Sequence, residues 1–139
     1  MIRVVRTSYK DIREFFDREW QEADVEHYGE RLDWKKRKLI LKAVVDGETA
    51  GVVKIKTEAG VAEIEAIVVA KDRRGEGVGK ALMKRAEALV KARGCHFIDL
   101  VTGKDWAAVG FYEALGYKKL QVIPRYHHKK DFLEFYKHI

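Results

Sequence analysis

The stretch "RRGEGVGK", residues 73–80, is the strongest constraint in this sequence. An apolar run (Ile67, Val68, Val69, Ala70) precedes it, and apolar residues at helical spacing (Val78, Leu82, Ala86, Leu89, Val90) follow it. A glycine-rich turn that leads from a strand into a helix presents exposed amides and the positive end of the helix dipole to whatever sits above it, so it is built to hold an anion. Two familiar phosphate loops fail on their letters. A Walker loop needs a glycine five positions before Gly79, where Arg74 stands, and a hydroxyl after Lys80, where Ala81 stands. A dinucleotide fingerprint starting at Gly75 would put its third glycine at Lys80, and the strand before it belongs to a meander rather than to a first βαβ unit. What remains is R-x-x-G-x-G, carried by Arg74, Gly77 and Gly79.

The rest of the chain supplies the context. "IRVVR" reads as a short first strand and residues 8 to 33 as helical, with Ile12, Phe15, Phe16 and Trp20 as a stripe that packs into a core. Residues 39–45, 49–56 and 61–69 read as three strands of an antiparallel meander, divided by Asp46-Gly47 and by Glu58-Ala59-Gly60. A helix over 77–93 ends at Gly94, and the strand "HFIDLV" follows. A second helix over 106–115 ends at Gly116, before the strand "YKKLQVI"; "KKDFLEFYKH" reads as the last strand. A strand, a crossover helix and a strand predict a parallel pair with a right-handed connection. The class is therefore α/β in the mixed α+β sense: a mixed, mostly antiparallel sheet of six to seven strands with helices on both faces.

With 139 residues, 47% hydrophobic and 36% charged, the chain is expected to form a single domain over residues 1–139. No apolar run reaches the roughly 18–20 residues of a bilayer span, and the N-terminus does not read as a signal peptide, so a cytoplasmic location is expected. Cys95, the one cysteine, opens an apolar stretch and reads as a buried small hydrophobe. His127 and His128 are neighbours, but adjacent strand residues point to opposite faces and no third ligand accompanies them, so no metal is expected. The net charge of +6 is unevenly placed: residues 11–33 hold nine acids against three bases. Nucleic-acid binding through "WKKRK" at 34–38 is weighed and set aside, because its single aromatic offers no repeated stacking platform.

Two segments carry a resemblance. "VVAKDRRGEGVGKALMKRAE" resembles the acetyl-CoA-binding motif of the GNAT superfamily of N-acetyltransferases, and "DWAAVGFYEALGYKK" resembles its second signature, N-x-x-A-x-x-x-Y-x-x-x-G-[FY]. The resemblance covers residues 40–123 closely and the N-terminal third by topology alone. It implies the GNAT fold and an acyltransferase that moves an acetyl group from acetyl-CoA, with no metal, to a primary amine: a small molecule, a polyamine, a protein lysine or an N-terminal amine. It implies coenzyme contacts from Arg74, Gly75, Glu76, Gly77, Val78, Gly79 and Lys80, and from the backbone of Ile67, Val68 and Val69 along the pantetheine arm. Tyr112 matches the tyrosine that protonates the departing thiolate, and Glu63 or Glu65 would serve as base. Asp105 stands where asparagine is usual; it can cap the next helix but cannot donate to a pantetheine carbonyl. The acidic 11–33 segment suggests a cationic acceptor. A non-catalytic acyl-CoA-binding module of the same fold is the alternative. No nucleic-acid or membrane partner is implied, and a homodimer is left open.

Overall fold

The computed structural model describes all 139 residues, which fall into two compact units, Met1–Trp34 and Lys35–Ile139. In the first unit, helix α1 runs over Tyr9–Tyr28. Ser8 caps it, its Oγ accepting from the Asp11 amide, and Gly29 at φ 80° closes it in the left-handed region where glycine is at ease. The helix stops there, five residues earlier than its periodicity predicts, and the chain beyond folds back onto one carboxylate. Asp24 is buried and accepts from the Leu32 amide at 3.2 Å and from the Trp34 Nε1–H at 2.9 Å. Two further expectations are corrected in this unit. "IRVVR" forms no strand: residues 1–8 have no ladder partner and are exposed, so water rather than a neighbouring strand meets their amides. Phe15, Phe16 and Trp20 are exposed rather than core, with Phe16 stacked on Trp20 at 5.6 Å between centroids.

The second unit is built on a six-stranded sheet. Strands β1 (Arg37–Val45), β2 (Glu48–Glu58) and β3 (Val61–Val69) form the expected antiparallel meander. Its two hairpin turns place Asp46-Gly47 and Ala59-Gly60 at positive φ, the geometry whose twist matches the flanking strands. Helix α2 (Val78–Ala92) then crosses to β4 (Phe97–Gly103), which lies parallel to β3. Helix α3 (Ala108–Ala114), β5 (Lys118–Ile123) and β6 (Phe132–His138) complete the order β1-β2-β3-β4-β6-β5. β4, α3 and β5 thus do not make a second paired βαβ unit, because β6 inserts between the two strands, antiparallel to both.

The core follows from alternation. Val53 and Ile55 of β2, Ala62 and Ile64 of β3, Ile98 and Leu100 of β4, and Phe135 of β6 point to one face. There they meet the stripe of Leu82, Met83, Ala86 and Val90 on α2 and Tyr112 on α3. At Gly51 an added Cβ would lie 3.1 Å from the side chains of both Val78 and Leu82, so this glycine lets α2 settle onto β2. Cys95 is buried in the same core, and burial pushes its thiol up. No helix is long and apolar enough to cross a membrane.

Candidate active site

β3 and β4 pair over three rungs only, Val61 with Phe97, Ala62 with Ile98 and Glu63 with Asp99. Beyond these the strands part. A bulge assists the separation: on the other edge of β3, Ile64 pairs with Ile55 and Ala66 with Lys54, which leaves Glu65 as the extra residue and bends the strand. From Ile64 to Val69 the β4-side edge of β3 is unpaired, and a cleft of about 970 Å³ opens along it.

One end of the cleft is the glycine turn. Gly75 and Gly77 have φ of 80° and 84°, and nothing lies within 4 Å of where their side chains would be. Gly77 is the N-cap of α2 and no side chain caps this end; the first helical bond is from the Ala81 amide to the Gly77 carbonyl. The amides of the first turn are therefore without helical partners, and the residues that carry them line the cleft. Gly79 serves packing: a Cβ there would meet the Phe111 ring at 3.2 Å. Arg74 folds back so that its Nε donates to the Val69 carbonyl at 3.4 Å, and Lys80 lies beside it in the wall.

The interior holds the titratable groups. Tyr112 is 5% exposed, and its ring is fixed edge-on by Phe111 and Tyr117 at centroid distances of 5.2 and 5.9 Å. No protein group hydrogen-bonds its hydroxyl, and burial pushes the phenol up to about 12. Glu65 lines the cleft with Lys38 Nζ 3.8 Å away. Glu63 does not line it; a 3.0 Å ion pair holds it to Lys56, whose ammonium is pushed up by the Glu63 hydrogen bond and charge.

Of the residues named from sequence, Glu65, Ile67, Val68, Val69, Arg74, Gly75, Gly77, Val78, Gly79, Lys80 and Tyr112 converge on this one cleft. Glu76 stands outside its wall and pairs with Arg73 at 3.8 Å; Arg73 also reaches Asp46 at 3.3 Å. Asp105 is outside the wall as well. It caps no helix, because the chain turns once more and α3 begins at Ala108, with Ala107 at the N-cap and no side-chain cap.

Thr102, Phe111 and Trp106 are among the lining residues without an assigned role in the sequence. Thr102 is buried at the end of β4, Phe111 packs under the turn, and Trp106 lies over Gly103, where a Cβ would come within 2.3 Å of the indole. An aromatic three residues after a strand-ending glycine was the available signal for Trp106. Asp99 sits within the apolar run "HFIDLV". Burial, together with Glu63 and Glu134, pushes its carboxyl up, and its Oδ1 has no hydrogen-bond partner. No three His, Cys, Asp or Glu residues are grouped so as to hold a metal ion, and His127 packs against the rings of Tyr126 and Phe132.

Residues 6–117 match the model of the acetyltransferase (GNAT) family. The chain belongs to the GNAT family. An uncharacterized N-acetyltransferase of Methanocaldococcus jannaschii is 39% identical over 64 residues, which cover 45% of this chain and 28% of that protein. The crystal structure of an acetyltransferase from Bacillus cereus superposes over 99% of this chain and 98% of its own length with a TM-score of 0.74 at 18% identity. An aminoglycoside 6'-N-acetyltransferase complexed with coenzyme A superposes over 91% of this chain and 86% of its own, with a TM-score of 0.67 at 20% identity. The matched segments make up 28% to 61% of the length of the curated relatives. These superpositions reproduce the mixed, mostly antiparallel sheet and its helices, the architecture expected from the sequence.

Proposed function

We propose that this protein transfers the acetyl group of acetyl-CoA to a primary amine by direct attack, without a covalent enzyme intermediate. One observation carries the reading: the gap between β3 and β4 runs from the open amides of the α2 turn to the phenol of Tyr112, with a free strand edge between them. That is the order of needs along coenzyme A: a site for the pyrophosphate, backbone groups for the amides of the pantetheine arm, and a proton donor for the sulfur. The coenzyme in the aminoglycoside acetyltransferase complex is the ligand for which such a path is suited. Residues 1–139 are taken as one domain, since the family match begins at residue 6 and runs on through the second unit.

The residues would divide the chemistry as follows. Arg74, Lys80 and the turn amides bind the diphosphate, and the Ile67–Val69 edge aligns the arm. Glu65, which lines the cleft, takes a proton from the acceptor ammonium directly or through water; an ordinary alkyl ammonium with a pKa of about 10.4 is mostly charged at neutral pH. The neutral nitrogen attacks the thioester carbonyl, a C–N bond forms, and the C–S bond breaks as the carbonyl is restored. Tyr112, held protonated by its raised pKa, donates a hydrogen bond to the departing sulfur. Full transfer from this phenol to a thiolate is uphill. Its first effect is therefore to stabilise the charge developing on sulfur, with the proton shed by nitrogen completing the thiol. Glu63 is the weaker choice of base because Lys56 occupies it outside the cleft wall.

Purified protein mixed with acetyl-CoA and a broad panel of amines is expected to release free thiol. Coenzyme binding with no release across the panel would reassign the protein as a non-catalytic acyl-CoA-binding module.

A further inference from the structure

The loop between β5 and β6 is the most conformationally costly segment of the second unit. Arg125, His128 and Lys129 have φ of 50°, 50° and 63°, and none is a glycine. Such residues are strained in the left-handed region and persist where surrounding contacts impose them, commonly around functional sites. Those contacts are present. The Arg125 amide donates to Asp131 Oδ1 at 3.0 Å, the Tyr126 amide to the Lys130 carbonyl at 2.8 Å, and the Lys104 amide to the Asp131 carbonyl at 3.1 Å.

The enforced shape gathers rings beside the cleft. Phe132, 7% exposed, lies under three rings: Trp106 at 5.4 Å, Tyr126 at 5.7 Å and His127 at 5.0 Å between centroids. Trp106 and Tyr126 are 60% and 46% exposed, and Trp106 also lines the cleft. They form a shelf that continues the cleft wall outward from β4. Arg125, Lys129, Lys130 and Lys104 surround it, all exposed and none in an ion pair with an acid. Of the nearby carboxylates, Asp131 is engaged by the Arg125 amide and Glu134 by Gln121 Nε2 at 2.8 Å, while Asp105 is exposed.

From this juxtaposition we infer that the shelf is the acceptor's binding site, and that it takes an amine whose body carries a planar ring and an anionic group, such as a carboxylate. The ring lies on Trp106 and Tyr126, the anion meets Arg125 and Lys129, and the amine reaches inward to Glu65. This deepens the acetyltransferase reading and rests on it. It differs from the cationic acceptor suggested by the acidic 11–33 segment, in which the buried Asp24 is already committed to Leu32 and Trp34.

The test is binding of products to the coenzyme A-loaded protein, which needs no turnover. Calorimetric titration with N-acetylphenylalanine, its uncharged amide and N-acetylspermidine is expected to rank the anion first, by about tenfold over the amide, as one charge-assisted hydrogen bond supplies. Arg125→Asn with Lys129→Asn, in which asparagine tolerates the left-handed backbone, should abolish that preference. Tyr126→Ala should weaken both aromatic ligands, and coenzyme affinity should not change in any of these variants. Equal affinity for anion and amide, tighter binding of N-acetylspermidine, or an anion preference that survives the double variant would overturn the inference. The anion ranked first in a protein that acetylates no amine would uphold the shelf and remove the transferase reading. Acetylation of amines at rates indifferent to ring and charge would do the reverse.

Discussion

The α2 turn at one end of the cleft and the β5–β6 loop beyond Trp106 solve the problem of positive φ in opposite ways. At the α2 turn, Gly75 and Gly77 adopt it without penalty, and the surface offered is main chain, open to an anion of fixed geometry. At the β5–β6 loop, Arg125, His128 and Lys129 adopt it at a cost, and the surface offered is rings and charged side chains. A group common to every reaction cycle can be held by backbone. A group that must be told apart from its competitors needs side chains, as the acceptor would at the proposed shelf.

The largest expected effect lies within the cleft. Tyr112→Phe should lower kcat by about 100-fold while leaving coenzyme affinity within a factor of two, since it removes a hydrogen-bond donor to the departing sulfur and little contact area. Unchanged turnover would mean that the sulfur is served by another group.

The same phenol predicts an alkaline limit to stability. Its pKa is raised from 10 to about 12 by burial, so between those values the unfolded chain has lost a proton that the folded chain keeps. Stability is therefore fully present below about pH 10 and falls as pH rises toward 12, by about 3 kcal/mol from this group. Denaturant titrations of wild type and Tyr112→Phe across that window should show the variant losing less. Parallel curves would contradict the assignment. Tyr117 shifts in the same direction through burial and Glu87, so part of the loss should remain in the variant.

Two smaller effects bear directly on the contrast between turn and loop. Gly77→Ala meets no steric obstacle but must hold a Cβ at φ 84°, which should cost about 1–2 kcal/mol of unfolding free energy in a denaturant titration. Arg125→Gly makes the opposite exchange at φ 50° and should stabilise the fold by up to about 1 kcal/mol, offset by the entropy glycine adds to the unfolded chain. Two shifts of the same sign would show that one of these backbones relaxes rather than bearing the strain described.

The same contrast explains what could be read from the sequence. The glycine turn was legible because R-x-x-G-x-G states its backbone in residue types, and the meander and α2 were legible from alternation and from the stripe of Leu82, Ala86 and Val90. The aromatic loop was not, because the left-handed turns at Arg125, His128 and Lys129 come from hydrogen bonds to Asp131 and Lys130 and not from any residue's own preference. Gly29 announces the stop of α1 at Tyr28, but the return of Trp34 to a carboxylate ten residues away is of the same kind. So is the bulge at Glu65, which depends on the register with β2, and the insertion of β6 between β4 and β5, which no local pattern encodes. Residue chemistry announces itself where a conformation is cheap for one amino acid; where tertiary contacts impose it, the letters are silent.

Three rungs between β3 and β4 also have a mechanical consequence. The sheet is zipped at one end only, so its halves, β1-β2-β3 and β4-β6-β5, are joined by ladder bonds at the Val61–Glu63 rungs and beyond them by side-chain packing alone. A molecule whose amides occupy the free edge would act as a temporary seventh strand and add ladder bonds there. Backbone hydrogen exchange should then slow along Ile67–Val69 on coenzyme binding, and change little in the β1–β2 hairpin.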